Sequence, residues 1–166
     1  MNTIRIFKLL LTITLMISCG SDDDNSQNPI DQLPPATQTG TNTFGFLVNG
    51  EPINVTNTSQ QTAIYQQGLL QLGGGGIGID ISNISTNVEY NLIGITLTGR
   101  ARYQVDPNPQ LGCQYEFEDT YEGSILFTKI DTVNFIISGT FEFSTITDGC
   151  EDIKITNGRF DLQYIP

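Results

Sequence analysis

Three cysteines and one run of carboxylates are the residues of this chain whose types and spacing bear on chemistry. Cys113 and Cys150 each stand near turn-forming residues in strand-rich sequence, so a disulfide between them is geometrically plausible. In an oxidising compartment an even pair reads first as a bridge. Closing a loop of roughly 38 residues would stabilise the fold by about 3–4 kcal/mol in the chain-entropy account. Two free thiols are the alternative. A redox-catalytic pair ranks behind both, because there is no Cys-x-x-Cys and no histidine.

Glu116, Glu118, Asp119 and Glu122 cluster in the sequence. Glycoside hydrolysis needs two carboxyls facing each other across a cleft, and Ca²⁺ wants several oxygens at once. On a strand, Glu116 and Glu118 would share one face, so a solvated acidic edge is the favoured reading. The spacing fits no EF-hand loop. The absence of histidine removes the commonest general base and the usual zinc and copper ligand. It also excludes serine or cysteine catalysis with a histidine partner. No catalytic residue, metal or cofactor is therefore assigned. Tryptophan is absent too, which leaves Tyr65, Tyr90, Tyr103, Tyr115 and Tyr121 as candidate platforms for a sugar ring.

The third cysteine, Cys19, has a different setting. Arg5 and Lys8 precede an apolar run, Leu9 to Ile17, broken by Thr12 and Thr14. That run is about half the 20 or so residues that a membrane-spanning helix needs, and it fits the apolar region of a signal peptide. It ends in Met16-Ile17-Ser18-Cys19-Gly20, which resembles the lipobox of bacterial lipoproteins. Met16 stands where that pattern more often has leucine. The resemblance implies diacylglycerol on the Cys19 thiol and cleavage before it. Each buried CH₂ contributes about 0.8 kcal/mol, so several acyl chains on one residue would hold the domain at a membrane. Ser21-Asp22-Asp23-Asp24 follows and resembles the acidic surface-export signal of Bacteroidota lipoproteins. Together these imply a lipid anchor in the outer membrane, with the domain facing the cell exterior.

The formal net charge is −11, and removal of Arg5 and Lys8 with the leader would take it to −13. Such a chain repels phosphate backbones, which excludes nucleic acid as a partner. From residue 19 to 43 the sequence is polar, interrupted by Pro29, Pro34 and Pro35, and shows no helical or strand period. It predicts a disordered tether. Leu33-Pro34-Pro35-Ala36-Thr37-Gln38-Thr39-Gly40 and Val48-Asn49-Gly50 resemble the opening segment of a family of small Bacteroidota lipoproteins of unknown function. Ile136 to Phe143 and Ile155-Thr156-Asn157-Gly158-Arg159-Phe160-Asp161 resemble its last hairpins. The family lends an address and a β fold, and no mechanism.

The elements that must position these residues are strands. Asn49-Gly50 between Phe44–Val48 and Glu51–Val55 is a strong hairpin signal. Ala63 to Gln67, Gly68 to Leu72, Ile77 to Ile81, Leu92 to Leu97 and Ala101 to Val105 are further strand candidates. Gly73 to Gly76 predicts a flexible turn or bulge, since no basic residue or helix follows to make a phosphate loop. Ile125 and Phe127 alternate with Leu126 and Thr128. Val133, Phe135, Ile137, Phe141 and Phe143 share one parity, and Phe160, Leu162 and Tyr164 alternate with Arg159, Asp161 and Gln163 after a predicted turn at Asn157-Gly158. Phe141, Phe143 and Phe160 are the predicted core. The whole is an all-β domain over 44–166, an antiparallel β-sandwich or small barrel, behind a signal peptide (1–18) and a tether (19–43). The functional expectation is a membrane-anchored, non-catalytic binding or structural module with a protein or glycan ligand. A carboxylate-dependent glycoside hydrolase and a lipocalin-like carrier are the alternatives.

Overall fold

Three tight turns punctuate the first half of the domain, each where two successive residues take positive φ. They are Asn49-Gly50 (49° and 91°), Gln67-Gly68 (52° and 82°) and Gly75-Gly76 (60° and 90°). Positive φ at both positions is what a type I′ turn requires, and its twist matches that of the strands it joins. The turns connect β1 (Thr43–Val48) to β2 (Glu51–Asn54), β3 (Gln61–Gln66) to β4 (Leu69–Gly74), and β4 to β5 (Ile77–Ser82). The glycine run is therefore the end of a strand and a tight turn, not a loose loop. The computed structural model describes residues 28–166 apart from Leu97 and Pro109. It continues through β6 (Glu89–Asn91), β7 (Gly99–Gln104), β8 (Gln114–Tyr115), β9 (Thr120–Asp131), β10 (Ile136–Thr145) and β11 (Ile153–Gln163).

These strands form two antiparallel sheets that do not close into a barrel. One has six strands in the order β2-β1-β11-β10-β9-β6, and the other has five in the order β3-β4-β5-β7-β8. The sheets pack as a sandwich, and strand alternation supplies its interior. Phe44, Phe46, Phe127, Phe141, Phe143 and Phe160 come from the first sheet; Leu70, Leu72, Ile77, Ile79 and Ile81 come from the second. The Phe44 and Phe141 rings lie 5.4 Å apart, and Phe127 meets Phe160 edge-on at 5.9 Å. Both separations are within the favourable range for aromatic pairs. The interior is filled by side chains, so it offers no open barrel cavity of the lipocalin kind.

Three strand boundaries differ from the sequence reading, each for a local reason. Val133 and Phe135 do not extend β10. The Asp131 carboxylate accepts hydrogen bonds from the Val133 and Asn134 amides and folds Thr132–Phe135 into a turn, leaving Val133 82% exposed. Asn157-Gly158 is not a turn. β11 runs through it, and Asn157 takes φ 53° where the β10–β11 register shifts. Gly158 is needed there because a Cβ would come within 2.6 Å of the Phe141 ring. Of the predicted strand Leu92 to Leu97, residues 92–96 are not a strand either, and Leu97 lies outside the described residues. The Asn91 side chain captures the Ile93 amide at 2.7 Å, and the chain bends away through Gly94.

The predicted tether is the largest difference. From Asn28 to Asn42 the chain is a strap crossing the outer face of the six-stranded sheet. Asn54 donates to the Gln32 carbonyl, Arg159 to Pro34 and Lys129 to Gln38, while Leu33 is buried beneath. The physical cause is Asp161, an outward residue of β11 that is nonetheless fully buried. Its Oδ2 accepts from the Thr37 hydroxyl at 2.6 Å, the Thr39 amide at 2.9 Å, and the Thr41 hydroxyl at 3.1 Å. Its Oδ1 accepts from the Gly40 amide at 2.8 Å and the Ser138 hydroxyl at 2.7 Å. Burial pushes this carboxyl's pKa up, but the hydrogen bonds from Thr37, Ser138, Thr39 and Gly40 outweigh it and hold the group well below the usual carboxylate range.

Candidate functional site

The strap does not reach the outer face of the five-stranded sheet. Alternation along β7 turns Ala101 and Tyr103 inward and Arg100, Arg102 and Gln104 outward. Antiparallel register then assembles two rows across the sheet. Thr62, Gly73, Gly78 and Arg102 are successive neighbours in one, and Ile64, Gln71, Asp80 and Arg100 in the other. The two central residues of the first row have no side chains, so the row is a trough.

Arg100 is fully engaged. Its Nε and Nη2 donate to Asp80 Oδ2 at 3.0 and 2.7 Å, and its guanidinium sits 4.2 Å from the centre of the Phe117 ring. Arg102 lies 5.4 Å from the same ring centre, and both distances are within cation–π range. Phe117 is presented by a short 3-10 turn, Phe117–Asp119. The Asp119 carboxylate closes that turn by accepting from the Glu116 amide at 2.8 Å. Two adjoining clefts run along the trough. One, of about 320 Å³, is lined by Gln71, Asp80 and Phe117; the other, of about 420 Å³, by Gly75, Gln104 and Pro107. They share Thr62, Gly73, Ile77, Gly78 and Arg102.

The structure disperses most of the residues that the sequence singled out. Glu116 and Glu118 do not share a strand face: Glu118 lies in the 3-10 turn, Glu116 is the residue that caps it, and Glu122 lies apart on β9. The Asp119 carboxylate is taken up by the turn's own backbone and the Glu116 carboxylate lies 3.9 Å from Arg102, so the four carboxylates do not face each other across a cleft. Glu89, Glu122 and Glu142 lie along open clefts on the other sheet's outer face. Among the described residues no group of three or more His, Cys, Asp or Glu is arranged to hold a metal ion.

The tyrosines share no single platform. Tyr103 and Tyr115 are buried and stacked on each other, with ring centres 6.2 Å apart, and burial raises the pKa of both. Tyr65 meets Tyr164 edge-on, and Tyr90 meets Phe127. Tyr121 is exposed and donates to the Asp152 carboxylate, which raises its pKa. Cys113 and Cys150 are joined in a disulfide, with Cα atoms 6.1 Å apart, tying the loop before β8 to the loop before β11. The Tyr115 hydroxyl reinforces that junction by donating to the Glu151 carbonyl at 2.9 Å. Cys19 and Ser21, Asp22, Asp23 and Asp24 lie outside the described residues.

Arg100, Arg102 and Phe117 were not singled out by sequence reasoning. The available signal was Gly99-Arg100-Ala101-Arg102-Tyr103, a pair of cations on one strand face in a chain with only 7 basic residues. Among the described residues no helix is long and apolar enough to cross a membrane. Compared with known proteins, the chain matches no family model, no curated protein and no solved structure.

Proposed function

We propose that this chain is a lipid-anchored β-sandwich of the outer membrane, displayed to the cell exterior, and that it acts as a non-catalytic binding module. The anchor is Cys19, with Ser21 to Asp24 as the export signal; the lipobox pattern supports this part of the reading. The observation that carries the binding role is the chemistry of the five-stranded sheet's outer face. It keeps an open trough flanked by a cation and an aromatic ring, whereas the clefts beside the strap on the six-stranded sheet are lined by Glu89, Glu122 and Glu142. A few convergent polar groups in a concave site are the usual mark of a binding surface.

Docking of the strap also limits how far the domain stands from its anchor. The roughly nine residue steps from Cys19 to Asn28 reach at most about 30 Å, whatever their conformation. The test is made on whole cells carrying the full-length chain. External protease should remove the domain, Cys19→Ser should release it from the membrane fraction, and the purified chain should retain a protein in pull-down or a glycan on an array. Protection from external protease would refute the display. Silence in both pull-down and array would refute the binding role.

A further inference from the structure

One cation on the open face has donors that the fold does not use. Among the described residues Arg102 makes no side-chain hydrogen bond. Its ion pair with Glu116 is 3.9 Å long, with the two side chains 39% and 50% exposed, and pairs of that kind contribute little. The guanidinium is nevertheless held in place. Its stem lies over Gly78, where a Cβ would come within 3.0 Å of Arg102 Nε, and Phe117 stands beside it. A guanidinium fork with free N–H groups matches a carboxylate in two-point geometry. Building on the binding-module reading, we infer that Arg102 anchors a site for a carboxylate-bearing oligosaccharide, one containing uronic acid, laid along the trough formed by Thr62, Gly73, Gly78 and Arg102.

Three features select that class of ligand. Thr62, Gln71 and Gln104 line the trough beside Arg102 and offer the hydroxyl and amide groups that pair with sugar hydroxyls. The chain's net charge of −11 opposes dense polyanions. Carboxylates spaced by hydroxyl-rich rings suffer that repulsion least. Among the described residues a peptide adding as a strand finds little edge on this sheet. β8 has only two residues, and β3 is bonded by the C-terminal tail, with the Tyr65 amide donating to the Ile165 carbonyl at 2.8 Å and the Ile165 amide to the Ala63 carbonyl at 2.9 Å.

The test is calorimetric titration of the purified full-length chain with two sparsely charged acidic oligosaccharides, a xylo-oligosaccharide bearing one glucuronic acid and a hyaluronan tetrasaccharide, at low salt. The methyl ester and a neutral cello-oligosaccharide serve as comparisons. An acidic oligosaccharide should bind, and esterification or 0.5 M salt should weaken it about tenfold or more. Arg102→Gln should weaken binding about tenfold, and Arg102→Lys, which keeps the charge but not the fork, should recover part of the loss. Lys154→Gln, on the other sheet, removes the same charge and should leave binding unchanged. Equal binding by the ester, by Arg102→Gln, or an equal loss in Lys154→Gln would overturn the assignment. No binding of either acidic oligosaccharide would overturn the ligand class alone. The binding-module reading falls only if the whole-cell pull-down and the array are silent as well.

Discussion

Asp161→Asn keeps the shape of the side chain and changes one acceptor into a donor. In the wild-type chain Oδ2 receives the Thr37 hydroxyl, the Thr39 amide and the Thr41 hydroxyl, and Oδ1 receives the Gly40 amide and the Ser138 hydroxyl. An amide nitrogen on the Oδ2 side would face three donors. Flipping the amide would set it against Gly40 instead. Hydrogen bonds to a charged group contribute about 1.5–3 kcal/mol each, but they do not add here, because the strap can peel away and find water. The loss is therefore capped by the docking free energy of residues 28–42, and we expect about 3 kcal/mol, or roughly 10 °C in Tm for a domain of this size. Thermal melts and native-state amide exchange measure it. Protection at Thr39 and Gly40 should fall about a hundredfold or more, while amides in the β9–β10–β11 ladder lose only what the global destabilisation takes. A variant that melts within about 0.5 kcal/mol of wild type, with the Gly40 amide still protected, would refute the role given to this carboxylate.

Acid should act on the same contacts. Asp131 is lowered to about 2, chiefly by its hydrogen bonds with Asn134, and Asp161 is lowered as well. A depressed folded-state pKa contributes stability that is full above the unfolded value, near 3.8. That stability is lost as pH falls through the folded value, so denaturant midpoints should be flat near neutrality and drop below about pH 4. A steady midpoint down to pH 2 would contradict this. Reducing the Cys113–Cys150 bridge, or replacing both cysteines by serine, should cost about 3–4 kcal/mol, read as a lower denaturant midpoint. Phe141→Ala should cost about 3–5 kcal/mol, because the ring is buried among Phe44, Phe46 and Phe160. Gly158→Ala places a methyl against that ring and should cost about 1–3 kcal/mol by equilibrium unfolding.

Much of the fold is legible along the chain because strand alternation and turn chemistry are local. Asn49-Gly50 joins β1 to β2, as its residues predict. Phe141, Phe143 and Phe160 are core, as their parity predicts. The alternation misled at Val133 and Phe135, where a side chain two residues upstream captured the backbone. It misled again at Asn157-Gly158, where a bulge used the positive φ that a turn would have used. Little of the candidate site was legible. The acidic run drew attention by its density, yet Asp119 is taken up by the backbone of its own turn and Glu116 makes only a long, exposed ion pair with Arg102.

The strand class, the principal hairpin and the core aromatics follow from the order of residues alone, since each depends on positions a few apart. Three further features emerge only when the sheets pack: sandwich rather than barrel, a docked strap at residues 28–42 rather than a free tether, and a trough beside Arg102. The first depends on which strands become neighbours. The second depends on a carboxylate at 161 meeting amides at 39 and 40, and the third on Gly73 and Gly78 pairing in register beside Arg102. Contacts between residues distant in the chain are set by the packing of whole sheets, and no short window of sequence contains them.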